Sequence, residues 1–271
     1  MPSSRSGGPL PYLDHLAADS ARFRAVLAAA TEDAQVPSCP DWDADDLLWH
    51  LGEVQWFWGE IAERRLTDPD QLEAMQTARE ERPTDRSGLL AFFDRSSARL
   101  HRQLTDLAPA MPLWMWADDK TAGYIARRQA HEALIHRLDA ELTVGDRTPL
   151  DPRLAADGVD EVLRIMRGHE PDDELTHAPV AGPVTIATVD AMHAWTVTPV
   201  RITGTWNGRD IDVQRFLVAD GPDTSSVAEI SGTAAVLDCW LWNRPPEGSI
   251  ARDGDPTALA AVDAVLSDSI D

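Results

Sequence analysis

Lysine is almost missing from this 271-residue chain: Lys120 is the only one. Basic residues number 24 against 46 acidic ones, a formal net charge of −22. Such a surface repels phosphate backbones and anionic lipid, which argues against nucleic-acid or membrane-surface binding and leaves a small, non-polyanionic partner. Arginine in place of lysine, with abundant Ala and Asp, points to a GC-rich bacterial genome. Cysteine is scarce as well. Cys39 and Cys239 lie far apart and make no CxxC or disulfide framework, so a reducing cytoplasm is the expected compartment. Residues 1–9 lack the apolar centre of a secretory signal, and no apolar run approaches the ~20 residues that span a bilayer. There is no internal repeat and no low-complexity tract. The length suits one large or two ordinary domains, and two are expected.

The first half has helical periodicity. Leu13, Leu16, Phe23, Val26 and Leu27 mark a helix over 10–30. The two prolines of "QVPSCPDWD" break it, and Asp43 is placed to cap a second helix through about Arg65, with Asp45 and Asp46 favourable at its positive end. A third helix is expected from Ser87 to Leu107 and a fourth over "ARRQAHEALIHRLDAEL", 126–142. Four such helices make an up-and-down bundle the economical solution. A fifth helix, 151–169, follows. The breaker-rich stretch after it sets the expected boundary, with one domain over 1–170 and another over 171–271. Beyond residue 183 the period alternates: "VTIATV", "AWTVTP", "VRITGTW" and "DIDVQRFLV" read as strands, with "WNGRD" as a hairpin turn. Helices at 232–244 and 256–270 close the chain, with "GSIARDGD" as a possible last strand. The fold class is therefore α+β.

The fourth helix gathers ionisable side chains where leucine would serve a core better. At about 100° per residue, Glu132 and His136 share a face, Arg128 and Asp139 lie beside them, and His131 points elsewhere. On the second helix, His50 projects onto the edge of the apolar stripe of Leu47, Leu51, Val54 and Ile61. If the two helices are neighbours, His50, Glu132 and His136 converge. Two imidazoles and a carboxylate form a ligand set for a divalent metal with an open coordination position, most commonly zinc. The same residues also suit a hydrogen-bonded core histidine and an ion pair on a wet face, and spacing leaves both readings open.

"VPSCPDWDADDLLWHLGEV" at 36–54 and "AHEALIHRLDAE" at 130–141 resemble two signatures of the mycothiol-dependent maleylpyruvate isomerase family. "AEISGTAAVLDCWLWNRPPEG" at 228–248, with Gly254-Asp255 before the last helix, is similar to that family's second domain. The resemblance implies a DinB-like metal-binding four-helix bundle, zinc on His50, Glu132 and His136, and mycothiol as thiol cofactor or co-substrate. Many members carry a second histidine where this chain has Gln55. Unusual tryptophans at 49, 56, 58, 114 and 116 bear on substrate recognition, as pocket lining or as packing.

The expected chemistry is a thiolate, stabilised by the metal, adding to an electrophile. Addition to a cis double bond, rotation and elimination is isomerisation; displacement or permanent addition is S-transfer. Arg128 and Arg244 are candidates for gripping a carboxylate, Arg244 favoured by the resemblance, and Asp139 for orienting a ligand histidine. Three other readings stay open. One is a zinc hydrolase, one a non-catalytic ligand-binding protein, and one a family member acting on a bulky secondary-metabolite electrophile.

Overall fold

The computed structural model describes residues 10–31, 33–170, 174–206 and 208–267. It has eight α-helices and a six-stranded mixed sheet among those residues, an α+β protein. The expected signal-free residues 1–9, Asn207 of the expected hairpin turn, residues 171–173 at the expected boundary and residues 268–270 of the last expected helix lie outside the described residues.

The chain divides after Thr148 into two compact units. In the first, four long helices pack on one another: α1 (Tyr12–Ala29), α2 (Ala44–Arg64), α4 (Arg86–Asp106) and α5 (Ala122–Val144). A 3-10 turn, Pro69–Gln71, and the short α3, Leu72–Thr77, fill the connection between α2 and α4 and were not expected from the sequence. Asp43 caps α2 in both directions. Its carboxylate accepts from the backbone N–H of Asp45 and Asp46, and the Asp46 side chain accepts from the Asp43 N–H. Gly52 faces α4 so closely that a Cβ there would stand 3.1 Å from the Phe92 ring.

Helix α5 is the central element. It packs against α1, α2 and α4, and from Arg128 to Glu141 only Glu132 is less than fully buried. A helix with no solvent face must place its polar residues inside the protein, where each needs a partner. At its C-terminal end, the fully buried Glu141 accepts from Arg22 Nε at 2.8 Å and from the Thr148 hydroxyl at 2.7 Å, which ties α5 to α1. Gly145 then ends the helix at a φ of +70°.

The division after Thr148, rather than near residue 170, has a packing reason. The expected fifth helix is α6 (Pro152–Glu161) with a π-helical turn over Val162–Met166, and its Val159, Val162 and Leu163 share a core with Val184, Ile186, Trp195 and Leu237 of the second unit. The sheet comprises β1 (Thr176–Pro179), β2 (Val184–Thr188), β3 (Ala194–Trp206), β4 (Arg209–Asp220), β5 (Ala228–Gly232) and β6 (Ala251–Gly254). β3 is one 13-residue strand where the sequence suggested two. It pairs antiparallel with β4 along one edge and with β2 and then β1 along the other. Pro199 sits opposite Phe216, whose own N–H and C=O bond to Arg167 and His169. The proline's own backbone therefore faces the other edge, where its carbonyl accepts from Val180 N–H at 2.9 Å and its missing N–H falls between the paired stretches of β1 and β2.

β5 joins β2 in parallel and β6 in antiparallel fashion, and α7 (Ala234–Leu241) and α8 (Pro256–Leu266) follow the last two strands. The Gly254-Asp255 pair has a physical basis. Gly254 adopts a φ of +102°, with its Cβ position only 2.4 Å from the Val227 carbonyl oxygen, and Asp255 caps α8 by accepting from Thr257 N–H at 2.7 Å.

Candidate metal centre

His50 from α2 and Glu132 and His136 from α5 come together in the first unit. One ligand atom from each lies within 4.8 Å of the others, and this is the one such group among the described residues. His136 Nε2 is 3.2 Å from Glu132 Oε1, and His50 Nε2 is 3.7 Å from the same oxygen. The two imidazole rings stand edge to face, centroids 4.8 Å apart. One turn of helix brings Glu132 and His136 onto the same face, as their spacing predicts. The neighbouring His131 points to α1 instead, its ring 6.4 Å from that of Tyr12.

The surroundings set the protonation of the cluster. Burial pushes the Glu132 carboxyl up, but the Arg128 guanidinium and the two imidazoles outweigh it and hold the group well below the usual carboxylate range. Burial pulls His136 down, but Asp139 and Glu132 outweigh it and raise the imidazole to about 9. The His136 ring lies between two carboxylates, Nδ1 3.0 Å from Asp139 Oδ2 and Nε2 3.2 Å from Glu132 Oε1.

Arg128 is 4% exposed, and its Nη2 donates to Glu132 Oε2 at 2.6 Å. That contact gives it a role in holding the carboxylate rather than an open surface for a substrate. Arg244 belongs to the second unit, just past α7, where its Nη1 donates to the Trp242 carbonyl at 2.7 Å. Gln55 is fully buried and donates to Ser20 Oγ at 2.8 Å.

Two further contacts join residues that no helical or strand period relates. Ser38 Oγ donates to Asp139 Oδ1, and the Trp42 ring lies 4.7 Å from that of His50. Both residues stand inside the 36–54 signature, and the full burial of Asp139 is the signal that it needed a further donor. The tryptophans divide between roles. Trp49 packs on Phe92 at 4.7 Å, with the Arg79 guanidinium 5.5 Å over its ring. Trp58 stacks on Trp114 at 5.8 Å, while Trp116 is 50% exposed.

The donor set fits a divalent metal. Two imidazole nitrogens and an ionised carboxylate oxygen already face one point, with His136 Nδ1 engaged by Asp139 so that Nε2 is the atom offered. No helix among the described residues is long and apolar enough to cross a membrane.

Comparison with known proteins finds likeness in fold and in sequence family. Two solved structures resemble the chain. One is the mycothiol-dependent maleylpyruvate isomerase, at 13% identity and a TM-score of 0.56. The other is a mutant of the mycothiol-dependent maleylpyruvate isomerase, at 11% identity and a TM-score of 0.59. Each likeness covers 91% of this chain and 95% of the other, and at these identities it establishes the fold. No curated protein matches significantly. The family model described as the mycothiol maleylpyruvate isomerase N-terminal domain matches residues 13–141, a span that contains all three clustered side chains. The family match therefore stands for residues 13–141, 129 of the 271 in the chain.

Proposed function

We propose that this protein is a zinc-dependent enzyme that uses mycothiol, with the metal held by His50, Glu132 and His136 inside a DinB-like four-helix bundle formed by α1, α2, α4 and α5. The observation that carries the reading is the convergence of these three donors within 4.8 Å, in a stretch that matches the family's N-terminal domain. A bound zinc ion would supply an open coordination position that favours thiolate over thiol at neutral pH.

The chain's own residues prepare that position. Arg128 keeps Glu132 ionised, so the carboxylate is available as an anionic donor. Asp139 accepts the Nδ1 proton of His136, which fixes the ring's orientation and leaves Nε2 to face the centre. His50, with a side chain 32% exposed, lies at the more open side of the cluster, where a small molecule can approach.

The reaction that best fits is thiol addition to a small electrophile. Addition across a cis double bond leaves a single bond about which the substrate rotates, and elimination returns the thiol with a trans product. Permanent addition shares the first step and keeps the new carbon–sulfur bond once the adjacent carbon takes a proton, whereas displacement forms that bond as a leaving group departs with its electron pair. Arg128 is engaged with Glu132, so Arg244 is the proposed carboxylate-binding group, on the resemblance of "WNRPP" alone.

The test is metal content of protein purified without chelator, followed by turnover with and without added thiol. About one zinc per chain in the wild type, lost in His136→Ala, with activity that needs thiol, supports the reading. Protein that takes up no metal after zinc is supplied, or that turns over equally without thiol, refutes it.

A further inference from the structure

The loop between α1 and α2 has little regular structure, yet it is closed on itself. Gln35 and Asp43 form an antiparallel bridge. Val36 N–H donates to the Trp42 carbonyl at 3.0 Å, Cys39 N–H to the Val36 carbonyl at 3.0 Å, and Trp42 N–H to the Cys39 carbonyl at 2.8 Å. Val36 is fully buried in the core that holds Phe23 and Leu47, and Asp43 is the N-cap of α2. The loop is thereby fixed to the helix that carries His50.

Two of its side chains reach the candidate centre by separate routes. Ser38 Oγ–H donates to one oxygen of Asp139, and the other oxygen of that carboxylate stands 3.0 Å from His136 Nδ1. A carboxylate held at both oxygens has its rotation about χ2 set, so the Ser38 bond aims the acceptor at the imidazole. Trp42 lies against His50 at a ring-centroid distance of 4.7 Å and an interplanar angle of 46°. One short loop therefore constrains both histidines, one through a carboxylate and one directly. This gives the "VPSCPDW" loop at 36–42 a task carried by its serine and its tryptophan.

We propose that Ser38 and Trp42 are positioning residues, and that loop 36–42 is a clamp that sets the orientation of both imidazole ligands before a metal is bound. The inference rests on the metal reading above. Fixing the rings in advance reduces the side-chain freedom that binding would otherwise remove, so loss of the clamp weakens binding without removing a ligand.

The test compares the isosteric pair Ser38→Val and Ser38→Thr, with Trp42→Leu and Trp42→Phe, in the full chain. Zinc affinity is measured by competition with a chelator, and the visible absorption of the cobalt(II)-loaded protein reports coordination geometry. Metal-free melting curves show which variants are folded, and Ser38→Ala replaces the valine variant if that one is not. Ser38→Val should bind zinc about tenfold more weakly, with an altered cobalt spectrum, while Ser38→Thr stays close to wild type. Trp42→Leu should weaken binding severalfold, and Trp42→Phe should recover most of it. Zinc affinity of Ser38→Val within threefold of wild type, with an unchanged cobalt spectrum, overturns the clamp and leaves the metal reading standing. Equal losses in the threonine and valine variants overturn it too, because packing and not the hydroxyl would then be responsible. A wild type that binds neither zinc nor cobalt removes the metal reading itself.

Discussion

Replacing Asp139 by asparagine tests the electrostatic logic of the centre. The side chain is fully buried and accepts the Nδ1 proton of His136 at 3.0 Å. Asparagine preserves size and an acceptor oxygen but removes the charge. A hydrogen bond to a charged group contributes about 1.5–3 kcal/mol and a neutral one about 0.5–1.5 kcal/mol, so the exchange should weaken zinc binding by about 1–1.5 kcal/mol, roughly tenfold. Asp139→Ala loses the acceptor altogether and should reach the upper part of the 10–100-fold range typical of such outer partners.

The pH of the assay matters, because His136 titrates at about 9 in the metal-free protein and must give up its Nε2 proton to act as a donor. Proton competition should lower the apparent affinity about tenfold for each pH unit below that value. Asp139→Asn also lowers the His136 pKa, which relieves part of that competition at pH 7 and masks the loss. Chelator-competition titrations across pH 7 to 9 separate the two effects. The gap between wild type and variant should widen as pH rises. Affinities within threefold at pH 9 would refute the proposed role of Asp139.

Three further outcomes follow from the same geometry. The His136 pKa, raised from 6.5 to about 9 in the fold, gives the metal-free protein stability that is fully present below about pH 6.5 and is lost as pH rises through 9. Denaturant melts should show a decline on the order of 3 kcal/mol over that window, and a flat profile would contradict it. Glu132→Gln removes the carboxylate from a buried Arg128, which should abolish stoichiometric zinc and lower metal-free stability by about 3 kcal/mol, read by calorimetry and elemental analysis. Asp43→Ala removes both capping bonds at the start of α2 and should cost about 1 kcal/mol in chemical denaturation. A change below a few tenths of a kcal/mol would show that the cap is redundant.

Much of the local structure was legible in the sequence, because it depends on neighbours along the chain. The Asp43 cap, the four long helices and the common face of Glu132 and His136 follow from side-chain chemistry and a 3.6-residue period. The family signatures at 36–54 and 130–141 were also readable there, and the match over residues 13–141 agrees with them. Tertiary structure decided what depends on distant partners. Periodicity alone could not assign the apolar face of α6 to the sheet of the second unit, since a helix stripe does not specify its partner. It could not reveal that β3 runs unbroken through Pro199, because that depends on where β1 and β2 meet. Arg128 looked available on a helical projection, yet packing buries it and gives it to Glu132. Ser38 and Asp139 are 101 residues apart, and only the folded chain makes them neighbours, so the hydrogen bond that aims the carboxylate at His136 has no trace in local sequence.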